Sequence, residues 1–156
     1  MVARDGDGWI ECRCGSKHWG KFGAAGILII RDGSIFLQHR APWVHNGDTW
    51  GIPGGARDSH ESTIEAALRE AQEETGINPE DLTPLTTFID DHDGWSYSTV
   101  IAIASKNLEG RELNDESHEV RWVKFEDVTR LPLHPSFAKC WPELLTLAND
   151  AIERAT

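Results

Sequence analysis

The chain has 156 residues, 39% hydrophobic and 26% charged, enough for one domain with a hydrophobic core and too few to suggest two. Its formal net charge of −11 repels nucleic acid and anionic membranes, which are bound through Lys and Arg clusters, so neither is expected as a partner. Three cysteines suggest no disulfide framework, FGAAGILII is too short to span a bilayer, and MVARDGDGW carries no signal-peptide core. A cytoplasmic setting is expected, and oligomeric state is left open.

In chain order, AAGILII and SIFLQHR read as two strands joined by the turn signal RDG, and TWGIPGG as a short strand broken by Pro-Gly-Gly. A helix follows. Ser62 to Glu65 match a capping box, Gly76 suits a left-handed cap, and Ile64, Ala67, Leu68 and Ala71 form an apolar stripe. LTTFID and YSTVIAIAS are strand-like around DHDGW, and EVRWVKF is another strand. WPELLTLANDAIERA reads as a closing helix with Pro142 in its first turn and Leu144, Leu147, Ala148 and Ala151 as its stripe. Strands mixed with helices argue for an α/β arrangement, a mixed central sheet with helices packed on its faces.

The first helix ends on REAQEETG, which crowds Glu70, Glu73 and Glu74 into its last turns. At spacings of three and four residues these side chains share one face, bordering the apolar stripe. Repulsion costs a few tenths of a kcal/mol per pair, and the negative helix end adds roughly 0.3–1 kcal/mol against each. Converging oxygen ligands suit a hard cation such as Mg²⁺ or Mn²⁺. For the hexapeptide alone, a solvated surface is the simpler reading.

The wider context changes that reading. From Gly55 the chain reads GARDSHESTIEAALREAQEETGI, with Glu61, Arg69, Glu70, Glu73, Glu74 and Gly76 at fixed separations. This stretch resembles the signature of the Nudix hydrolases, MutT-like enzymes that cleave nucleoside diphosphates linked to another group. Chance agreement at the fixed positions is on the order of 10⁻⁸ per window. Ala71 departs from the larger aliphatic residue usual there. The order of elements also resembles the Nudix α/β/α sandwich over roughly residues 22 to 152, so the chain divides into an N-terminal extension, 1–21, and a Nudix domain, 22–156.

The resemblance implies water attack on a phosphorus of a diphosphate, assisted by Mg²⁺ or Mn²⁺. It implies Glu70 and Glu74 as metal ligands, Glu73 as a direct or water-mediated helper, and the Gly54 carbonyl as a further ligand. Arg69 would orient carboxylates, and Glu61 would support Arg69 or the loop, or simply favour the helix start. Glu116 fits a loop glutamate serving as ligand or base better than Glu119 does. Arg40 resembles a phosphate-contacting arginine but is also an ordinary strand-end residue.

For substrate, features of the NADH, ADP-ribose and dinucleoside polyphosphate branches are absent or, for Tyr97, displaced. The expectation is therefore a nucleoside triphosphate, oxidised or not, cut to monophosphate and pyrophosphate. A nucleoside diphosphate-sugar substrate and a catalytically silent nucleotide sensor are the alternatives. His134 and Phe137, in LPLHPSF, are candidate base contacts, with Phe137 equally readable as a core aromatic. In ECRCGSKHWG, the residues Cys12, Cys14 and His18 are zinc-ligand types without an evident fourth partner. Alternation along a strand would instead bury both cysteines as small hydrophobes.

Overall fold

The computed structural model describes residues 4–109 and 117–156. Strands β1 (Trp9–Glu11) and β2 (Lys17–Trp19) form a small antiparallel sheet of their own. Strands β3 (Ala24–Arg31) and β4 (Ser34–Arg40) make the expected hairpin. Its two turn residues, Asp32 and Gly33, both have positive φ (51° and 73°), the turn hand that matches the twist of the flanking strands. After β5 (Trp50–Gly51) and β6 (Gly54–Ala56) come helix α1 (Thr63–Thr75), strands β7 (Leu82–Asp91), β8 (Ser96–Ala104) and β9 (Ser117–Lys124), and helix α2 (Pro135–Ala155).

The main sheet has seven strands and is mixed. β3 runs parallel to β8, and every other pairing is antiparallel. β3 and β4 pair only beside their turn, at Ile30–Ile35 and Arg31–Ser34. Beyond it they part: β6 takes the free edge of β3, and β5 joins the far end of β4. Alternate residues of β3 point to opposite faces. Ala25, Ile27 and Ile29 pack in one core with Ala66, Ala67 and Ala71 of α1, while Leu28 and Ile30 pack in a second with Trp141, Leu144 and Ala148 of α2. This is the expected α/β/α sandwich. Among the described residues no helix is long and apolar enough to cross a membrane.

Two helix expectations need correction. Ile64 is 40% exposed, and α1 instead buries Ala66, Ala67, Glu70, Ala71 and Thr75. The helix is thus turned so that small residues meet the sheet and Glu70 faces inward. Helix α2 begins two turns earlier than expected, at Pro135, and Pro142 lies inside it. An interior proline costs about 3 kcal/mol through its missing N–H. Burying Phe137 on the added turns and Trp141 beside the proline offsets this, at about 1.5–3 kcal/mol for a large apolar side chain.

Both ends of α1 are capped as expected. Ser62 and Glu65 exchange side-chain-to-backbone hydrogen bonds, and Gly76 (φ 71°) returns its N–H to the Gln72 carbonyl. Replacing Ser62 by Ala should therefore lower stability by about 1 kcal/mol, read as a reduced urea midpoint. An unchanged midpoint would show that the box contributes nothing to α1.

Candidate active site

Arg69 organises the glutamate face of α1. Its Nε donates to Glu61 Oε2 at 2.6 Å and one terminal nitrogen to Glu61 Oε1 at 2.8 Å, a bidentate pair. The same nitrogen reaches the Ala56 carbonyl at 3.0 Å, tying the helix to β6. The other terminal nitrogen donates to Glu70 at 2.9 Å and Glu73 at 3.3 Å. The Arg69 hydrogen bonds hold the Glu61 carboxyl below the usual carboxylate range. Burial pushes Glu70 the other way, against the pull of Arg69.

Around this fork the backbone is cut to fit the carboxylates. Glu70 is only 9% exposed, and its carboxylate lies where a Cβ on Gly55 would sit 2.6 Å away. Glu74 accepts from the Gly54 N–H at 3.1 Å and from Gln38 Nε2 at 3.0 Å, so strand, loop and helix converge on one carboxylate. Behind them, a Cβ on Gly26 or Gly54 would collide with the Tyr97 hydroxyl. Burial, then the charges of Glu74 and Glu70, push that hydroxyl's pKa up. Arg4, from the N-terminal segment, pairs with Glu73 and lies 3.7 Å from Glu70. Carboxylates still outnumber guanidiniums here, and all the acidic donors are oxygens, which fits a hard divalent cation.

The sequence model of the NUDIX domain matches residues 20–144. The chain belongs to the Nudix hydrolase family. It is 46% identical over 157 residues to a Mycobacterium tuberculosis protein named "Putative 8-oxo-dGTP diphosphatase 3", covering 94% of this chain and 72% of that one. It is 43% identical over 158 residues to a Bifidobacterium longum nucleoside triphosphate pyrophosphatase/Nudix hydrolase fusion protein, covering 96% of this chain and 33% of the fusion. The solved structure of RenU, a Nudix hydrolase from M. smegmatis, superposes with a TM-score of 0.86 at 44% identity, covering 93% of this chain and 96% of RenU. As a Nudix hydrolase the chain is a pyrophosphohydrolase.

The Nudix box residues Arg69, Glu70, Glu73 and Glu74 are thus brought together with Glu61 and Gly54. Glu116 lies outside the described residues. Arg40 turns its guanidinium onto the His45 carbonyl, at 2.9 and 3.1 Å. His134 caps α2, accepting from the Ser136 N–H, and its other ring nitrogen lies 3.2 Å from Asn46. Burial drives the pKa of its imidazole down to about 4, so it is neutral at physiological pH. Phe137 is not brought to the carboxylates: it is 7% exposed and packs against Trp141, the core-aromatic alternative.

Gln38, Tyr97 and Arg4 were not expected at the site. Gln38 was findable, because it shares a strand face with Phe36, which packs with the alanines of α1. A polar residue two along from such a core position needs a partner, and Glu74 is that partner. Tyr97 and Arg4 arrive through tertiary structure, with no local signal.

Two predictions follow from this geometry. Gly55→Ala places a methyl against the Glu70 carboxylate and should weaken activation by divalent metal about 10–100-fold while the protein still folds. Metal titrations of activity beside a circular-dichroism melt check this. Glu61, depressed by Arg69, contributes stability that is present above its unfolded pKa of about 4.5 and lost as pH falls through its folded value. Glu61→Gln should therefore cost about 1–3 kcal/mol at pH 7, with the gap to wild type closing below pH 4.5, in urea melts run across pH.

Proposed function

We propose that this Nudix hydrolase cleaves an oxidised nucleoside triphosphate of the 8-oxo-dGTP type to the monophosphate and pyrophosphate, using Mg²⁺ or Mn²⁺. Glu70 and Glu73 held on one nitrogen of Arg69, with Glu74 held by the Gly54 N–H of the glycine loop, carry the reading of chemistry. The substrate class rests on the 46% identity to the M. tuberculosis protein and its printed name. Glu70, Glu73 and Glu74 would hold the cation, joined by the Gly54 carbonyl and Glu116. A divalent cation there supplies positive charge to the diphosphate oxygens and acidifies the attacking water.

The chain's own groups divide the remaining work. Gln38 and the Gly54 N–H fix one oxygen of Glu74. Arg69 holds Glu70 and Glu73 at a set spacing through hydrogen bonds that a lysine's point charge would not reproduce. Glu116 takes a proton from the attacking water. Arg40 leaves the His45 carbonyl to grip a substrate phosphate, and His134, uncharged, offers a hydrogen bond to the base. Residues 1–21 are an accessory segment, and the setting is the cytoplasm, where the three free cysteines stay reduced.

The test is a panel of nucleotides incubated with Mg²⁺ and assayed for pyrophosphate against phosphate. Wild type should release pyrophosphate and prefer 8-oxo-dGTP over dGTP in kcat/KM. Glu74→Gln should lower kcat by about 10²-fold or more. Preference for a nucleoside diphosphate-sugar would overturn the substrate, and an unimpaired Glu74→Gln would overturn the site.

A further inference from the structure

The N-terminal hairpin brings three zinc-ligand side chains together, and the β7–β8 turn sets His92 beside them. Cys12 Sγ, Cys14 Sγ and a His18 ring nitrogen all lie within 4.8 Å of one another. Cys14 Sγ is 3.1 Å from His18 Nε2. Cys12 Sγ reaches the His92 carbonyl at 3.2 Å. His92 opens the β7–β8 turn, directly after β7, so it is a partner that sequence spacing alone does not supply. Its ring packs edge-on to that of His18, with centroids 4.7 Å apart.

We propose that Cys12, Cys14, His18 and His92 are the four ligands of a structural zinc site that fastens the β1–β2 hairpin to the β7–β8 turn. Two thiolates and two imidazoles are a complete tetrahedral set for zinc. With Zn–S near 2.3 Å and Zn–N near 2.0–2.1 Å, ligand atoms stand about 3.3–3.8 Å apart, so Cys12, Cys14 and His18, already within 4.8 Å of one another, need only small shifts, and the His92 ring, packed on that of His18, turns in as the fourth ligand. The ligands are also held from behind. His92 Nε2 pairs with Asp90 Oδ2 at 3.0 Å, which leaves Nδ1 for the metal and is the usual carboxylate support of a zinc-bound histidine. His18 is stacked on Trp95, 4.1 Å between centroids and 10° from parallel, which fixes its ring plane.

The competing account, two cysteines buried as small hydrophobes, fails on exposure. Cys12 is buried but Cys14 is exposed, and its thiol is turned to the His18 imidazole rather than to apolar neighbours. The hairpin closes tightly around the pair, with the Cys12 N–H on the Ser16 carbonyl and the Gly15 N–H on the Cys12 carbonyl. An ion here anchors the same N-terminal segment whose Gly6 N–H bonds Asp58 and whose Arg4 reaches Glu73.

The full-length protein, with any affinity tag removed, is assayed for metal by mass spectrometry. The metal-free protein is then titrated with Zn²⁺ against a chromophoric chelator, and with Co²⁺ alone. The expected result is one zinc per chain and a tetrahedral cobalt spectrum with thiolate charge-transfer bands. Cys14→Ser and His92→Ala should each abolish stoichiometric retention, and Asp90→Asn should weaken affinity about 10–100-fold. Glu74→Gln should leave zinc binding unchanged, which separates this site from the carboxylates. Wild-type protein that takes no zinc from the chelator and gives no thiolate–cobalt spectrum would overturn the proposal. So would wild-type affinity in His92→Ala. The wild-type titrations decide the matter even where a variant does not fold.

Discussion

The bidentate pair between Arg69 and Glu61 fixes the guanidinium that holds Glu70 and Glu73 on the glutamate face of α1. Three glutamates in the last turns of α1 repel one another and meet a helix end that carries no basic residue. Those penalties are a few tenths of a kcal/mol per pair and roughly 0.3–1 kcal/mol per charge at the terminus. Hydrogen bonds to charged groups contribute about 1.5–3 kcal/mol each, and Arg69 makes several. One guanidinium therefore outweighs the repulsion and still leaves the face net negative. The result is a helix whose folding is secured by Glu61 and whose remaining charge is free for a cation.

The sheet supplies the space for this arrangement. Because β3 and β4 part after two residue pairs, the Pro53–Gly55 segment enters beside α1. There Gly55 yields to Glu70, and Gly54 directs its N–H to Glu74. Ala66, Ala67 and Ala71 let the helix lie close enough for these contacts, at the cost of leaving Ile64 in solvent. The unusual Ala71 in the box is part of this fit, buried in the core between helix and sheet. Carboxylate placement and core packing are thus one problem, solved by small residues on both sides.

Much of this was legible in the residues. Glutamates spaced by three and four must share a helix face, and the caps at Ser62 and Gly76 are local chemistry, so both survive into the structure. The rotation of α1 is not local: it depends on which small residues the sheet accepts. The early start of α2 was hidden because Pro142 reads as a helix beginning, while burial of Phe137 and Trp141 extends the helix through it. His92 is separated from His18 by most of the domain's core strands. Their meeting at one turn comes from sheet topology, which no spacing rule encodes. The β1–β2 hairpin, with three residues per strand, is too short to show a periodicity.

With no basic residue in its last turn, α1 holds an excess of carboxylate charge that a hard divalent cation should relieve. Thermal denaturation of the metal-free protein across a Mg²⁺ series, without substrate, tests it most directly. The cation should raise Tm along a saturating curve, with a gain of about 2.7 kcal/mol at a hundred times its Kd. In Glu74→Gln, where the replaced carboxylate is held by Gln38 and the Gly54 N–H, the starting Tm should be equal or higher, and in both Glu70→Gln and Glu74→Gln the Mg²⁺ response should largely vanish. A Mg²⁺ shift of equal size in all three proteins, or a marked loss of metal-free stability in Glu74→Gln, would contradict this.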